Sequence, residues 1–132
     1  MRWNNIIWLY VNSWGGLFLQ SAPFLYFEDF FITSSLILIF RHINLQDFNV
    51  METGSTIAHD VKIASYVTIY LGVNIAGNVK IANECELGAN SCIIQGLNVG
   101  EKTIIDTGAV VIRDIDGKCT VVGNPARVIK RV

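Results

Sequence analysis

Little in this chain points to a disulfide framework, a metal centre or a nucleic-acid surface. Cysteine occurs only at positions 85, 92 and 119, an odd number at spacings that fit neither paired disulfides nor a zinc site. Histidine occurs twice, as His42 and His59, too few to supply the several imidazole ligands a catalytic metal would need. With 10 basic and 11 acidic residues the formal net charge is −1, and no basic stripe interleaved with aromatics appears, so nucleic acid is not an expected partner. Charge is also missing from Ile6 to Phe27, which is followed by Glu28, Asp29 and a second apolar run from Phe30 to Phe40. By length the first run could span a bilayer or serve as a secretory signal, since Arg2 precedes it. Asn12, Ser13, Gly15, Gly16, Gln20, Ser21 and Pro23 dilute it, however, and the second run is short for a span. The reading favoured over a membrane role is an apolar cap, irregular or helical, over residues 1–42.

What the chain has instead is a period of six. Leu45, Met51, Ile57, Ile63, Ile69, Ile75, Ile81, Leu87, Ile93, Val99, Ile105 and Val111 follow one another at that spacing without insertion or deletion. Four residues after each comes Asn49, Ser55, Val61, Val67, Val73, Val79, Cys85, Ser91, Leu97, Thr103, Ala109 or Ile115, nearly all small or β-branched. Three residues after many of the aliphatics stands a residue that tolerates positive φ, namely Gly54, Asp60, Gly72, Asn78, Asn90, Gly96 and Gly108. Six is neither the helical 3.6 nor the simple strand period of 2, so the unit is a short strand plus a turn. Three such units, about 18 residues, make one coil of a parallel β-helix. The ladder then forms about four coils, a prism about 19 Å tall at the spacing of paired strands. The expected fold is all-β, with residues 43–132 forming the coils and a C-terminal tail in one domain. The ladder begins near Ile39 and Ile43, which already lie on the two inward registers, and breaks at Thr33. Cys85 falls on an inward register and should be buried and reduced, which suggests a cytoplasmic setting.

The coil length acts as a ruler for side chains. His59 aligns with Gly77, Gln95 and Arg113, and Thr53 aligns with Leu71, Ala89 and Thr107. A histidine on a turn beside Asp60 can serve as a general base, although an ordinary surface histidine gives the same pattern. Adjacent strand residues face opposite ways, so a His59–Asp60 contact requires turn geometry. Gly77 would come about 5 Å from His59, where its backbone N–H could polarise a carbonyl; equally, a turn could simply demand glycine there. Cys85 and Cys92 have no histidine in register, which argues against a covalent route. His42, beside Arg41, reads as a solvated residue of the approach to the ladder.

The stretches Glu52-Thr53-Gly54-Ser55-Thr56-Ile57-Ala58-His59-Asp60, Gly108-Ala109-Val110-Val111-Ile112-Arg113-Asp114-Ile115 and Val121-Val122-Gly123-Asn124-Pro125-Ala126-Arg127 resemble the left-handed β-helix, or hexapeptide-repeat, acyltransferases. Within these the chain is most similar to the bacterial sialic acid O-acetyltransferases and nucleotide-aminosugar N-acetyltransferases, from about Ile43 onward and without their N-terminal nucleotide-sugar domain. The resemblance implies a left-handed coil, a homotrimer, and acetyl-CoA bound between adjacent prisms. It implies transfer of an acetyl group to an amine or hydroxyl of a sugar or nucleotide sugar. His59 matches the general base, Asp60 its acidic partner, and Gly77 the glycine whose N–H meets the acetyl carbonyl. Ala89 and Thr107 match positions near the pantetheine, and Arg127 and Lys130 fall where CoA phosphates could be met. Thr68 stands where close relatives carry a second histidine at the acetyl-CoA site, Glu52 where asparagine is common, and Tyr70-Leu71 where a Ser-Pro type pair is common. The alternative reading is a trimeric scaffold that no longer catalyses.

Overall fold

The computed structural model describes residues 43–131 throughout and, ahead of them, the backbone of the strands Ile7–Val11, Leu17–Leu19, Phe30–Ile32 and Ile37–Ile39. Every regular element among the described residues is a strand. The strands stack into three sheets, the faces of a triangular prism. The first sheet runs through Thr56–Ile57, Asn74–Ile75, Cys92–Ile93 and Val110–Val111. The second contains Asn44–Leu45, Lys62–Ile63, Lys80–Ile81 and Asn98–Val99. The third contains Asn49–Met51, Thr68–Ile69, Glu86–Leu87, Ile104–Ile105, Cys119–Val122 and the return strand Arg127–Arg131. Pairing between coils is parallel with a constant offset, as in Asn74↔Thr56 and Ile75↔Ile57, or Glu86↔Thr68 and Leu87↔Ile69. The sense of the winding is left-handed, against the usual right-handed preference of parallel crossovers.

Both inward registers are realised. All twelve aliphatics from Leu45 to Val111 are buried, and so are their companions four residues on, apart from Leu97, which is half-buried. Each fully buried aliphatic contributes up to about 1.5–3 kcal/mol from removal of its surface from water. The seven turn residues named from sequence, from Gly54 to Gly108, all have positive φ, between 56° and 80°.

The inward polar residues find partners in their own turns or in the next coil. Ser55 Oγ donates to the Glu52 carbonyl at 2.7 Å and Thr103 Oγ1 to the Gly100 carbonyl at 2.6 Å. Asn49 donates to the Gln46 carbonyl and accepts from the Val67 N–H. Ser91 is the exception among the described residues: it is fully buried and its Oγ has no partner. An unpaired buried hydroxyl costs about 1–3 kcal/mol, whereas a made hydrogen bond contributes about 1 kcal/mol. Ser91→Ala is therefore expected to raise the urea midpoint, by about 1 kcal/mol in stability, and Ser55→Ala to lower it by a similar amount.

One prism corner departs from the sequence expectation. Between the second and third sheets, Phe48, Tyr66, Glu84, Lys102 and Lys118 all adopt positive φ, from 50° to 60°, although none is a residue type that favours it. Inter-coil backbone bonds hold the corner, from Tyr66 N to Asp47 O and from Glu84 N to Ser65 O. Side chains reinforce it through a Phe48–Tyr66 ring stack at 5.3 Å and a Lys102–Glu84 ion pair at 3.7 Å.

The C-terminal tail is more regular than expected. Cys119–Val122 closes another coil on the third sheet, pairing Thr120 with Ile104, and Arg127–Arg131 folds back antiparallel upon it. Toward the N-terminus, Leu38↔Thr56 and Ile39↔Ile57 keep the parallel register, and Phe30–Ile32 lies beside Asn49–Met51. Ile7–Val11 pairs antiparallel with both Ile37–Ile39 and Leu17–Leu19. The rest of the proposed cap, with His42 and the Thr33 break, lies outside the described residues.

Candidate active site

The site forms at the corner between the first and second sheets, because Ile57 and Val61 both point inward and force the intervening residues out into a turn. Asp60 takes a φ of 59° there, a conformation its short polar side chain tolerates. That turn brings two neighbouring side chains to the same side: His59 Nδ1 lies 2.9 Å from Asp60 Oδ2. Both remain accessible, with side chains about half exposed. With Nδ1 engaged by the carboxylate, the ring is fixed in orientation and Nε2 is left as the free proton acceptor.

One coil further on lies Gly77, and the ring of His59 sits directly over it. A Cβ at Gly77 would stand 2.7 Å from His59 Cε1 and 2.7 Å from Nε2. Gly77 is itself buried beneath the ring, and it is not among the positive-φ residues. A side chain at this position would displace the His59 ring, and no positive φ calls for glycine here. The coils are tied together on either side of it, since Asn78 N donates to His59 O at 2.9 Å and Gly96 N to Gly77 O at 3.0 Å. The N–H of Gly77 enters no backbone hydrogen bond among the described residues. The half-exposed ring of His59 and the buried backbone of Gly77 therefore adjoin one another.

The remaining residues singled out from sequence lie elsewhere on the prism. Ala89 and Thr107 share the corner between the third and first sheets, joined by the Gly108 N to Ala89 O bond, at the far edge of the first sheet from His59. Thr68 lies on the third sheet, the face opposite the His59 corner, and so do Arg127 and Lys130 on the return strand. Within one chain, then, His59, Asp60 and Gly77 meet, and the other five do not join them. Cys85 is fully buried, and desolvation pushes its thiol above the ordinary range, so it is held as an unreactive thiol. Glu52, which the sequence marks only as a departure from the family pattern, accepts at Oε2 from Leu71 N at 3.2 Å and so ties two coils together.

No family model matches the sequence. Individual relatives do. The chain is 36% identical over 86 residues to a serine acetyltransferase of Synechococcus elongatus, covering 59% of this chain and 35% of that protein. It is 42% identical over 57 residues to a 2,3,4,5-tetrahydropyridine-2,6-dicarboxylate N-acetyltransferase of Enterococcus faecalis, covering 43% of this chain and 24% of that one. The chain thus spans roughly a third or less of the length of these curated relatives. Among solved structures, the serine acetyltransferase of Neisseria gonorrhoeae superposes with a TM-score of 0.69 at 25% identity, over 71% of this chain and 41% of that one. The acetyltransferase domain of PglB from Neisseria gonorrhoeae, solved with acetyl coenzyme A, gives 0.62 at 28% identity, over 77% of this chain and 52% of that one. These relatives act on different acceptors by name, so the likeness extends to acetyl transfer and does not single out the sialic acid and nucleotide-aminosugar branch. Repeat, coil geometry and relatives together make the β-helix of this chain similar to those of the hexapeptide-repeat acetyltransferases.

Proposed function

We propose that the protein transfers an acetyl group from acetyl-CoA to an amine or hydroxyl of a sugar or nucleotide sugar, by direct attack, in the cytoplasm. The observation that carries the reading is the position of the His59 ring over Gly77, with Nδ1 held by Asp60. His59 Nε2 removes a proton from the acceptor as its nitrogen or oxygen bonds to the thioester carbonyl carbon. Negative charge then grows on the carbonyl oxygen, and the Gly77 N–H is the donor that meets it. As the tetrahedral centre collapses, the carbon–sulfur bond breaks and the imidazolium proton passes to the leaving thiolate. Asp60 keeps the ring oriented and stabilises its charged form during transfer.

The dispersal of the other residues supports assembly as a homotrimer. Thr68, Arg127 and Lys130 occupy the face opposite His59, so they reach an acetyl-CoA molecule at His59 only if a second prism lays that face against the corner. In that arrangement Ala89 and Thr107 flank the pantetheine, and Arg127 and Lys130 meet the phosphates. Two measurements test the reading. Sedimentation should give three times the 14.7 kDa chain mass, and calorimetry should show saturable acetyl-CoA binding. A protein that forms the trimer and fails to bind acetyl-CoA would instead be the scaffold that Thr68, in place of a second histidine, makes conceivable.

A further inference from the structure

The second sheet, which adjoins the His59 corner, carries an open groove of about 440 Å³ on its outer face. Its floor is made by the small residues Ala64, Ala82 and Gly100, one above another in successive coils. Along the side nearer the corner run Lys62 and Lys80, directly paired and hence about 5 Å apart in backbone. Like charges placed opposite one another on a sheet are destabilising. Neither lysine makes an ion pair among the described residues, whereas Lys102 and Lys118 on the adjacent corner are matched to Glu84 and Glu101. Two carboxylates in the neighbouring turns are engaged elsewhere, Asp60 with His59 and Asp114 with the Asn98 amide at 2.7 Å. Lys62 follows His59 by three residues and Lys80 follows Gly77 by three, so the lysine column runs parallel to the catalytic column at about 10 Å or less. The groove has the volume of a small-molecule site.

We infer that the acceptor bears an anionic group, a carboxylate or a phosphate, held between Lys62 and Lys80 while its amine or hydroxyl reaches His59 Nε2. The inference rests on the acetyl-transfer reading for the nucleophile and on the groove alone for the anion. Two lysines one strand apart can grip one anion through charge-assisted hydrogen bonds, and the small floor leaves room for the body of the acceptor.

The experiment follows backbone amide resonances of the full-length protein titrated with three probes sharing an amine: serine, O-phosphoethanolamine and ethanolamine. At least one anionic probe should move the Lys62, Ala64, Lys80 and Ala82 resonances to saturation, and the stronger of the two identifies carboxylate or phosphate. Ethanolamine should leave them in place. In Lys62→Met/Lys80→Met the apparent affinity for the anion should fall about tenfold or more, and in the double arginine variant it should stay within about threefold. Equal response to ethanolamine, undiminished binding by the double methionine variant, or absence of saturation with both anions overturns the inference. So does a change of mass in solution in the methionine variant without an effect of anions, which would give the face to a second copy of the chain. Calorimetry with acetyl-CoA is run in parallel; wild-type protein that binds the anion and not acetyl-CoA would fail the acetyl-transfer reading and leave the anion site standing.

Discussion

His59→Ala is expected to lower kcat/KM for acetyl transfer by about 10²–10⁴-fold, the range that removal of a positioned general base produces. The loss should fall on turnover, because the ring does no work in holding the coils together. The inter-coil bonds at this corner come from backbone, from Asn78 N to His59 O, and they survive the substitution. The ring is half exposed and lies over Gly77, so urea denaturation and sedimentation should match the wild type. Steady-state release of CoA thiol, measured with acetyl-CoA saturating, gives the comparison. Turnover that persists unchanged in His59→Ala would remove the histidine from the mechanism and leave Gly77 as mere packing. Asp60→Asn provides a graded companion: the side chain can still contact Nδ1, so orientation is kept while the negative charge is lost, and the fall in rate should be smaller than that of His59→Ala.

How far these residues were legible depends on what each one owes its place to. The inward registers and the Gly54, Asp60, Gly72, Asn78, Asn90, Gly96 and Gly108 turns could be read directly, because burial and positive φ each select residue types. The His59–Gly77 juxtaposition followed from the coil length alone, and the structure adds that no positive φ calls for glycine there. The corner built on Phe48, Tyr66, Glu84, Lys102 and Lys118 was not legible. There the backbone conformation is imposed by coil closure and inter-coil bonds, which override the preferences of those side chains. The last coil escaped for a related reason. Val99 bridges Ile115 and Ile104 pairs with Thr120, an offset of 16 residues in place of 18, so the hexad count fails while the fold continues. The groove on the second sheet was hidden because outward positions obey no periodic apolar pattern. Lys62 and Lys80 look like ordinary solvated charges until their direct pairing across two coils is known. Residues that serve a neighbouring prism, as proposed for Thr68, Arg127 and Lys130, lie beyond any ruler built from one chain.

The same ladder sets the largest expected effect on stability. Ile75 is 2% exposed, sits between Ile57 and Ile93 in the first sheet, and precedes Gly77 by two residues. Ile75→Ala removes three buried carbons from a column whose neighbours above and below are fixed by backbone pairing, so the gap cannot readily collapse. A loss of about 2–5 kcal/mol is expected from chemical denaturation, against under about 1.5 kcal/mol for the volume-conserving Ile75→Leu. Because each coil contacts only its neighbours, the weakened coil becomes the place where opening starts. That coil joins Gly77 to the His59 coil through the Asn78 N to His59 O bond. Activity in Ile75→Ala should therefore track the folded fraction, falling with rising temperature well before wild type does. At temperatures where the fold is intact, the rate per folded molecule should stay near the wild-type value, because the Ile75 side chain points into the core and touches neither His59 Nε2 nor the Gly77 amide face. A rate per folded molecule that dropped as far as in His59→Ala would mean that core packing, and not the backbone pairing of adjacent coils, fixes the spacing between base and amide.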